Sequence, residues 1–320
     1  MSGYTIGLGL FKGRYPILTE EGKLSPRGLG RFYLGRFLKL APLYYAYCFF
    51  WELLCGNHFF VGHPKFLLQV LTFTFNGKKS ADGIGHLWYI STAMQLYLLM
   101  PFGFLLIRLL KRRRATLIAF FAVLASGLAL RLVLKNAEVD WYTRMYTFAP
   151  CNVDLVVCGM LLSYLKLNFA PTASKSGLMK ELAALAMVVL VCYNVAIYYE
   201  GSTLSEDIYR YCLPTLYVLI PSLLILCFGD LTKRFARPAL REALHNPLSL
   251  IDWFSGYTYV FYIFHIAVFM YVRDAFGSLY GFAALPLGVR VLSFYLLTFT
   301  LSLACAVIFS KIAQGAKKRK

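Results

Sequence analysis

Acidic residues are scarce in this sequence: 15 Asp and Glu among 320 residues, against 33 Lys and Arg. Charge of either sign is thin, 15% in all, where soluble domains carry about a quarter. That shortage excludes an ordinary water-facing surface. Also missing are any repeat of about 20 to 50 residues and any low-complexity tract, so a solenoid or a disordered chain is excluded. The eight cysteines form no CxxC pair and lie mostly within apolar stretches, where a thiol serves as a small apolar packing group rather than a metal ligand or disulfide partner. No GxSxG elbow and no phosphate-cradling glycine loop occurs. Of the five histidines, His58, His63 and His245 are scattered through connectors, so no metal set emerges.

What is abundant is apolar length. Apolar residues make up 59% of the chain, and a helix crossing a bilayer needs about 20 of them in succession. Spans are expected at 37–55, 87–107, 116–135, 147–165, 182–199, 211–229, 256–272 and 288–310, with an apolar stub at 1–11. The fold class is therefore all-α: a polytopic integral membrane helix bundle of about nine spans, read as one domain over residues 1–320 with a short basic tail at 317–320.

A net charge of +18 in a soluble protein would suggest nucleic acid. Here position argues otherwise. Most of the Lys and Arg fall in connectors that share one side of the bundle, including Lys111 to Arg114, Lys233 to Arg241 and Lys317 to Lys320. The positive-inside rule then makes that side cytoplasmic, with the C-terminus on it and the lipid bilayer, not nucleic acid, as partner. An odd number of spans puts Met1 outside with no signal peptide to take it there, the pattern of a chain that starts after a first helix. Between the stub and the first long span, Lys12 to Arg36 is expected as a polar loop, with Pro16, Pro26 and several glycines. Phe66 to Phe75 is apolar but too short to span, which suits an interfacial or re-entrant segment.

Polar side chains at membrane depth are costly unless paired, so each is a candidate for function. Arg36 and Lys39, three apart on one helical face, open the span that Pro42 interrupts early. They read either as an anion clamp for a phosphate-bearing substrate or as snorkelling topology residues. His86, Trp88, Gln95 and Tyr97 open the next long span. An aromatic belt accounts for Trp88, whereas His86 and Gln95 gain nothing from lipid and fit a polar cavity. His265 lies near the middle of its span with Tyr262 three residues before it, lining a cavity or bonding another helix. Asp154 and Asn152 lie toward one end of their span, and Asp154 with Arg131 makes either a plain interhelical ion pair or part of a substrate site.

Together these segments resemble the acyltransferase-3 family of membrane acyltransferases. MSGYTIGLGL (Met1 to Leu10) is similar to the family's second helix. RFLKLAP (Arg36 to Pro42) is similar to its R-x-x-R-I-x-P helix start, with Lys39 for the second Arg. HLWYISTAMQLYLLMP, from His86, is similar to its H-L-W helix with Q-x-Y-x-L-x-P. TYVFYIFH (Thr258 to His265) is similar to its S-Y-x-x-Y-L-x-H helix, and Asn152 to Leu162 faintly resembles a segment ending in G-x-L-L. The likeness covers nearly the whole chain, and a full-length member has about ten helices.

The resemblance implies transfer of an acyl group, acetyl first of all, from acyl-CoA to a hydroxyl of a cell-envelope carbohydrate or similar acceptor. No permanently bound cofactor is implied. Arg36 and Lys39 would hold the donor's phosphates. His86, Trp88, Gln95, Tyr97 and Asp154 would line the substrate cavity, with His265 and Tyr262 as the candidate catalytic groups. The expected location is a bacterial cytoplasmic membrane. Two departures stand out: the family's first helix, with its His, is expected before Met1, and the acidic residue many members carry after the Trp falls at Ala93. A catalytically silent relative and a small-molecule transporter or flippase are the competing readings.

Overall fold

A computed structural model describes residues 2–19, 21–55, 60, 62–76, 84–110, 112–137, 145–168, 253–254, 256–278 and 286–318, together with 181, 184–190, 192, 214–216, 218 and 220. The principal helices among them are α1 (Ser2–Phe11), α2 (Pro26–Cys55), α3 (Pro64–Leu71), α4 (Trp88–Leu109), α5 (Arg113–Asn136), α6 (Val153–Asn168), α7 (Thr258–Ser278) and α8 (Leu287–Lys318). Short 3-10 turns, Gly85–Leu87 and Ala149–Asn152, lead into α4 and α6. No strand occurs among the described residues; one isolated bridge joins Leu18 and Leu24. Five helical segments there are long and apolar enough to cross a membrane: Gly85–Leu109, Arg113–Asn136, Ala149–Asn168, Thr258–Phe276 and Gly288–Ile312. The expected spans at 182–199 and 211–229 lie largely outside the described residues.

The protein is thus a helical membrane protein, and the exposed Leu, Ile, Val and Phe of α5 and α8, such as Ile118, Phe121, Leu292 and Ile308, are the faces it offers to lipid. Its contacts divide it into two compact units. The first comprises Met1–Leu40, Gln69–Asn76 and Trp88–Arg234, the second Ala41–Leu68, Gly77–Leu87 and Phe235–Lys320.

In the first unit, α1 lies along α6 with almost no side chain between the backbones. A Cβ on Gly3 would come within 2.4 Å of the Val156 carbonyl oxygen, one on Gly159 within 2.5 Å of the Tyr4 nitrogen, and one on Gly7 within 2.7 Å of Ser163 Oγ. Small residues four apart on both helices permit this approach, the usual way in which helices associate where the hydrophobic effect is weak. Ser163 Oγ also donates to the Tyr4 carbonyl across 2.7 Å.

The polar loop expected at Lys12 to Arg36 is shorter than its glycines suggested, because α2 starts at Pro26. Ser25 caps it, its Oγ accepting from the Gly28 N–H at 3.1 Å, and Pro26 takes the first helical position, where no N–H is needed. Gly28 meets the Pro16 carbonyl so closely that a Cβ would fall 1.8 Å from it. That glycine serves a close approach, not a turn. Pro42 does not end the helix either; it deprives the Leu38 carbonyl of its partner, and α2 continues to Cys55.

The short segment after α3 turns sharply at Phe73, whose φ of 55° is unusual for a bulky residue. In the second unit, α7 and α8 lie side by side, with Phe264 stacked on Phe309 at 4.5 Å between centroids.

Candidate active site

Each unit carries its own polar centre. In the second unit the centre is built around His86, in the 3-10 turn before α4, and around Tyr262 and His265, three apart and so on one face of α7. His86 Nε2 lies 3.0 Å from the Ile263 carbonyl oxygen, and the Tyr262 hydroxyl donates to the His86 carbonyl. His265 Nδ1 lies 2.6 Å from the Tyr262 carbonyl oxygen. A carbonyl can only accept, so the contacting nitrogen of each imidazole carries a proton. In the neutral rings His86 then presents Nδ1 as its lone-pair nitrogen, and His265 presents Nε2.

The two rings meet edge to face with centroids 5.4 Å apart. Tyr47 of α2 sets its ring 5.8 Å from His86 and is stacked on Trp51 at 6.0 Å and 17°. Two buried polar atoms here have no hydrogen-bond partner among the described residues: His86 Nδ1 and Trp51 Nε1.

In the first unit, Arg36 is half-buried. Its Nη2 donates to the Tyr15 hydroxyl at 2.8 Å, and its guanidinium carbon sits 5.4 Å from the Tyr15 ring centroid and 5.9 Å from that of Phe32. This is the cation–π geometry in which a cation keeps its charge while losing water. No carboxylate pairs with Arg36 among the described residues, whose ion pairs include Lys23 with Glu21, Arg131 with Asp154 and Arg273 with Asp274. Its Nε is buried without a partner there too, and Lys39, three residues on, is exposed.

Asp154 is engaged differently. Its carboxylate takes both Nη atoms of Arg131, at 2.7 and 3.2 Å, accepts from Thr215 Oγ1 at 2.5 Å and from the Leu155 N–H at 3.0 Å. Arg131 also donates to the Cys151 carbonyl. With side chains 4% and 0% exposed, this is a buried bidentate pair, and Gly127 of α5 admits it, since a Cβ there would lie 3.0 Å from Asp154 Cβ.

Gln95 is an anchor. Its Nε2 donates to the Phe73 carbonyl at 2.6 Å and to Asn76 Oδ1 at 2.8 Å. Asn76 in turn donates to the Thr147 carbonyl at 3.0 Å, which also accepts from Thr92 at 2.8 Å. The left-handed turn at Phe73 is thus held from both sides. Trp88 packs on Tyr146 at 4.7 Å, Tyr97 is buried, and Asn152 donates to the Tyr146 and Phe148 carbonyls, each at 2.9 Å.

Among the described residues no three His, Cys, Asp or Glu gather as metal ligands. A family model described as an acyltransferase domain matches residues 1–311.

The chain belongs to the acyltransferase-3 family. It is a membrane acyltransferase in the general sense of that family, and both the Arg36 centre and the His86 centre lie within the matched stretch. No curated protein and no solved structure matches this acyltransferase-3 chain. Sequence reasoning had singled out Arg36, His86, Tyr262 and His265 but missed their aromatic supports, Tyr15, Tyr47 and Trp51. For Tyr15 no signal was available, since it reaches Arg36 from a loop 21 residues away. Tyr47 stands eight residues past Lys39, and its run with Tyr44 and Tyr45 was the one local signal for it.

Proposed function

We propose that the chain transfers an acyl group, in the first instance acetyl, from acyl-CoA to a hydroxyl of a cell-envelope carbohydrate or similar acceptor at a bacterial cytoplasmic membrane. The observation that carries the donor half is Arg36: a guanidinium cradled by two aromatic rings, with a buried unpaired Nε and no carboxylate among the described residues. Such a cation suits an incoming phosphate, with Lys39 supplying a second positive charge on the same face. CoA carries phosphates on the part of the molecule that does not react. Binding there holds the donor without touching the thioester.

The acceptor half rests on the two imidazoles of the second unit. Each has one nitrogen fixed by a backbone carbonyl and therefore offers the other as a proton acceptor, which transfer to a hydroxyl requires. His265 and Tyr262 orient the group: Tyr262 ties α7 to the His86 backbone, and the His265 ring abuts that of His86.

The deciding experiment supplies radiolabelled acetyl-CoA to membranes carrying the natural full-length protein and follows label into envelope glycan. Label incorporated by the unsubstituted protein and lost in Arg36→Ala supports both donor and reaction class. Absence of label from every donor and acceptor tried refutes the reading.

A further inference from the structure

Arg36 is carried by the stretch of α2 least able to hold its own shape. Gly30 and Gly35 precede it, Pro42 follows it, and a Cβ added at either glycine would meet nothing within 4 Å, so no close approach calls for them. An interior glycine loosens a helix relative to alanine, and Pro42 leaves the Leu38 carbonyl without its helical donor. Such a stretch depends on contacts from outside the helix. Two side chains provide them. The Tyr33 hydroxyl donates to the Leu98 carbonyl of α4 at 2.9 Å. Phe37, one turn further on, meets Phe73 edge to face at 6.2 Å and 84°, and Phe73 belongs to the turn that Gln95 of α4 anchors. Residues 33 and 37 lie four apart on one helical face, so the turn that bears Arg36 is fastened to α4 directly at its start and through the Phe73 turn at its end. All of these residues belong to the first unit.

The place where Tyr33 meets α4 is suited to a second donor. A carbonyl oxygen has two lone pairs, and Pro101, with no N–H for the Tyr97 carbonyl, opens the α4 ladder one residue away from Leu98. The Arg36 guanidinium is held by different groups, the Tyr15 hydroxyl and the rings of Tyr15 and Phe32. The tip of the side chain is thus steadied by the loop before α2 and by α2 itself, and its base by α4.

We infer that Tyr33 is a positioning residue for the acyl donor: its hydroxyl pins the loose turn of α2 to α4, so that Arg36 meets the donor's phosphate already in place instead of being ordered by it. The inference rests on the donor half of the acyl-transfer reading. Tyr33 need not touch the donor, since its effect runs through Arg36. Binding to a group that is already ordered costs less, so loss of the pin shows as weaker donor binding.

The test measures binding of radiolabelled CoA to the purified full-length protein in lipid nanodiscs, for the unsubstituted chain, Tyr33→Phe, Arg36→Ala and the double variant. Tyr33→Phe keeps the ring and removes only the hydroxyl. It is expected to weaken CoA binding about three- to tenfold, the scale of one neutral hydrogen bond, and Arg36→Ala about tenfold or more, the scale of a charged one. On the Arg36→Ala background Tyr33→Phe is expected to add less than about twofold, because a residue that acts through Arg36 then has nothing to act on. In native membranes, acetyl transfer by Tyr33→Phe should show the same rise in KM for acetyl-CoA with kcat retained. A general loss of folded protein lowers the apparent kcat alone and cannot produce that split.

Equal losses from Tyr33→Phe on both backgrounds, or an unaltered affinity for CoA in Tyr33→Phe, would overturn the positioning role and leave the donor reading standing. A lowered kcat with KM unchanged would do the same. Failure of the unsubstituted protein to bind CoA, or an Arg36→Ala protein that binds it as tightly, would overturn the donor reading and this inference with it.

Discussion

Two buried polar centres, one in each unit, contrast in how far their hydrogen-bonding capacity is used. Around Arg131 and Asp154 it is filled: carboxylate, guanidinium, threonine hydroxyl and backbone carbonyl answer one another inside a side-chain-free notch made by Gly127. Around His86 it is left open, with a donor and an acceptor both buried and unanswered among the described residues. In apolar surroundings an unanswered polar group is costly, so a completed network reads as architecture, whereas leftover donors and acceptors remain available for hydrogen bonding. The contrast separates two residues that the resemblance places together in the substrate cavity, Asp154 and His86.

The comparison can be broken most directly at Asp154. If the first centre is architectural, Asp154→Ala leaves Arg131 buried with an unmatched charge and should cost about 3–5 kcal/mol, seen as a fall in the thermal midpoint of the purified protein in detergent. Replacing both partners, Arg131→Met with Asp154→Leu, should recover most of that loss. A well-folded Asp154→Ala protein that fails only in acyl transfer would move Asp154 to the substrate side.

A smaller effect is expected at the helix contact beside it. Gly159→Ala places a methyl 2.5 Å from the Tyr4 nitrogen and should destabilise by about 1–3 kcal/mol, with Gly30→Ala, in open space, as the neutral control. Gln95→Leu removes two donated hydrogen bonds from the turn at Phe73 and should cost about 1–3 kcal/mol, visible as faster proteolysis within 69–76. The smallest change is expected for Tyr15→Phe. It keeps the ring under Arg36 and loses only the hydroxyl, so KM for acetyl-CoA should rise about two- to fivefold with kcat retained. A fall in kcat with KM unchanged would detach Arg36 from donor binding.

The helical membrane fold was legible because lipid permits few solutions: apolar length and the one-sided placement of basic residues mark it before any contact is known. Local chemistry was legible where it depends on neighbours in sequence, as with Arg36 and Lys39 or Tyr262 and His265 on single helical faces. Three features were not. The start of α2 at Pro26 was obscured by glycines that suggested a loop, although Ser25 and Pro26 together make a helix start. The role of Gln95 depends on a carbonyl 22 residues earlier, and that of Thr215 on a carboxylate 61 residues earlier; no local pattern encodes such pairings. The small residues of α1 looked like apolar filler because their purpose is fixed by α6, far along the chain.

That last separation has a temporal side. Tyr4 and Ser163, which bond across the two helices, are 159 positions apart. At ribosomal speeds of about 5–20 residues per second, α1 therefore waits roughly ten to thirty seconds before its partner has been synthesised. Through that interval the bare backbone beside Gly3 and Gly7 lacks the α6 contact that covers it in the folded protein. A slowed ribosome between α1 and α6 should therefore harm the yield of this protein more than the same pause placed after α6, even though the amino-acid sequence is unchanged.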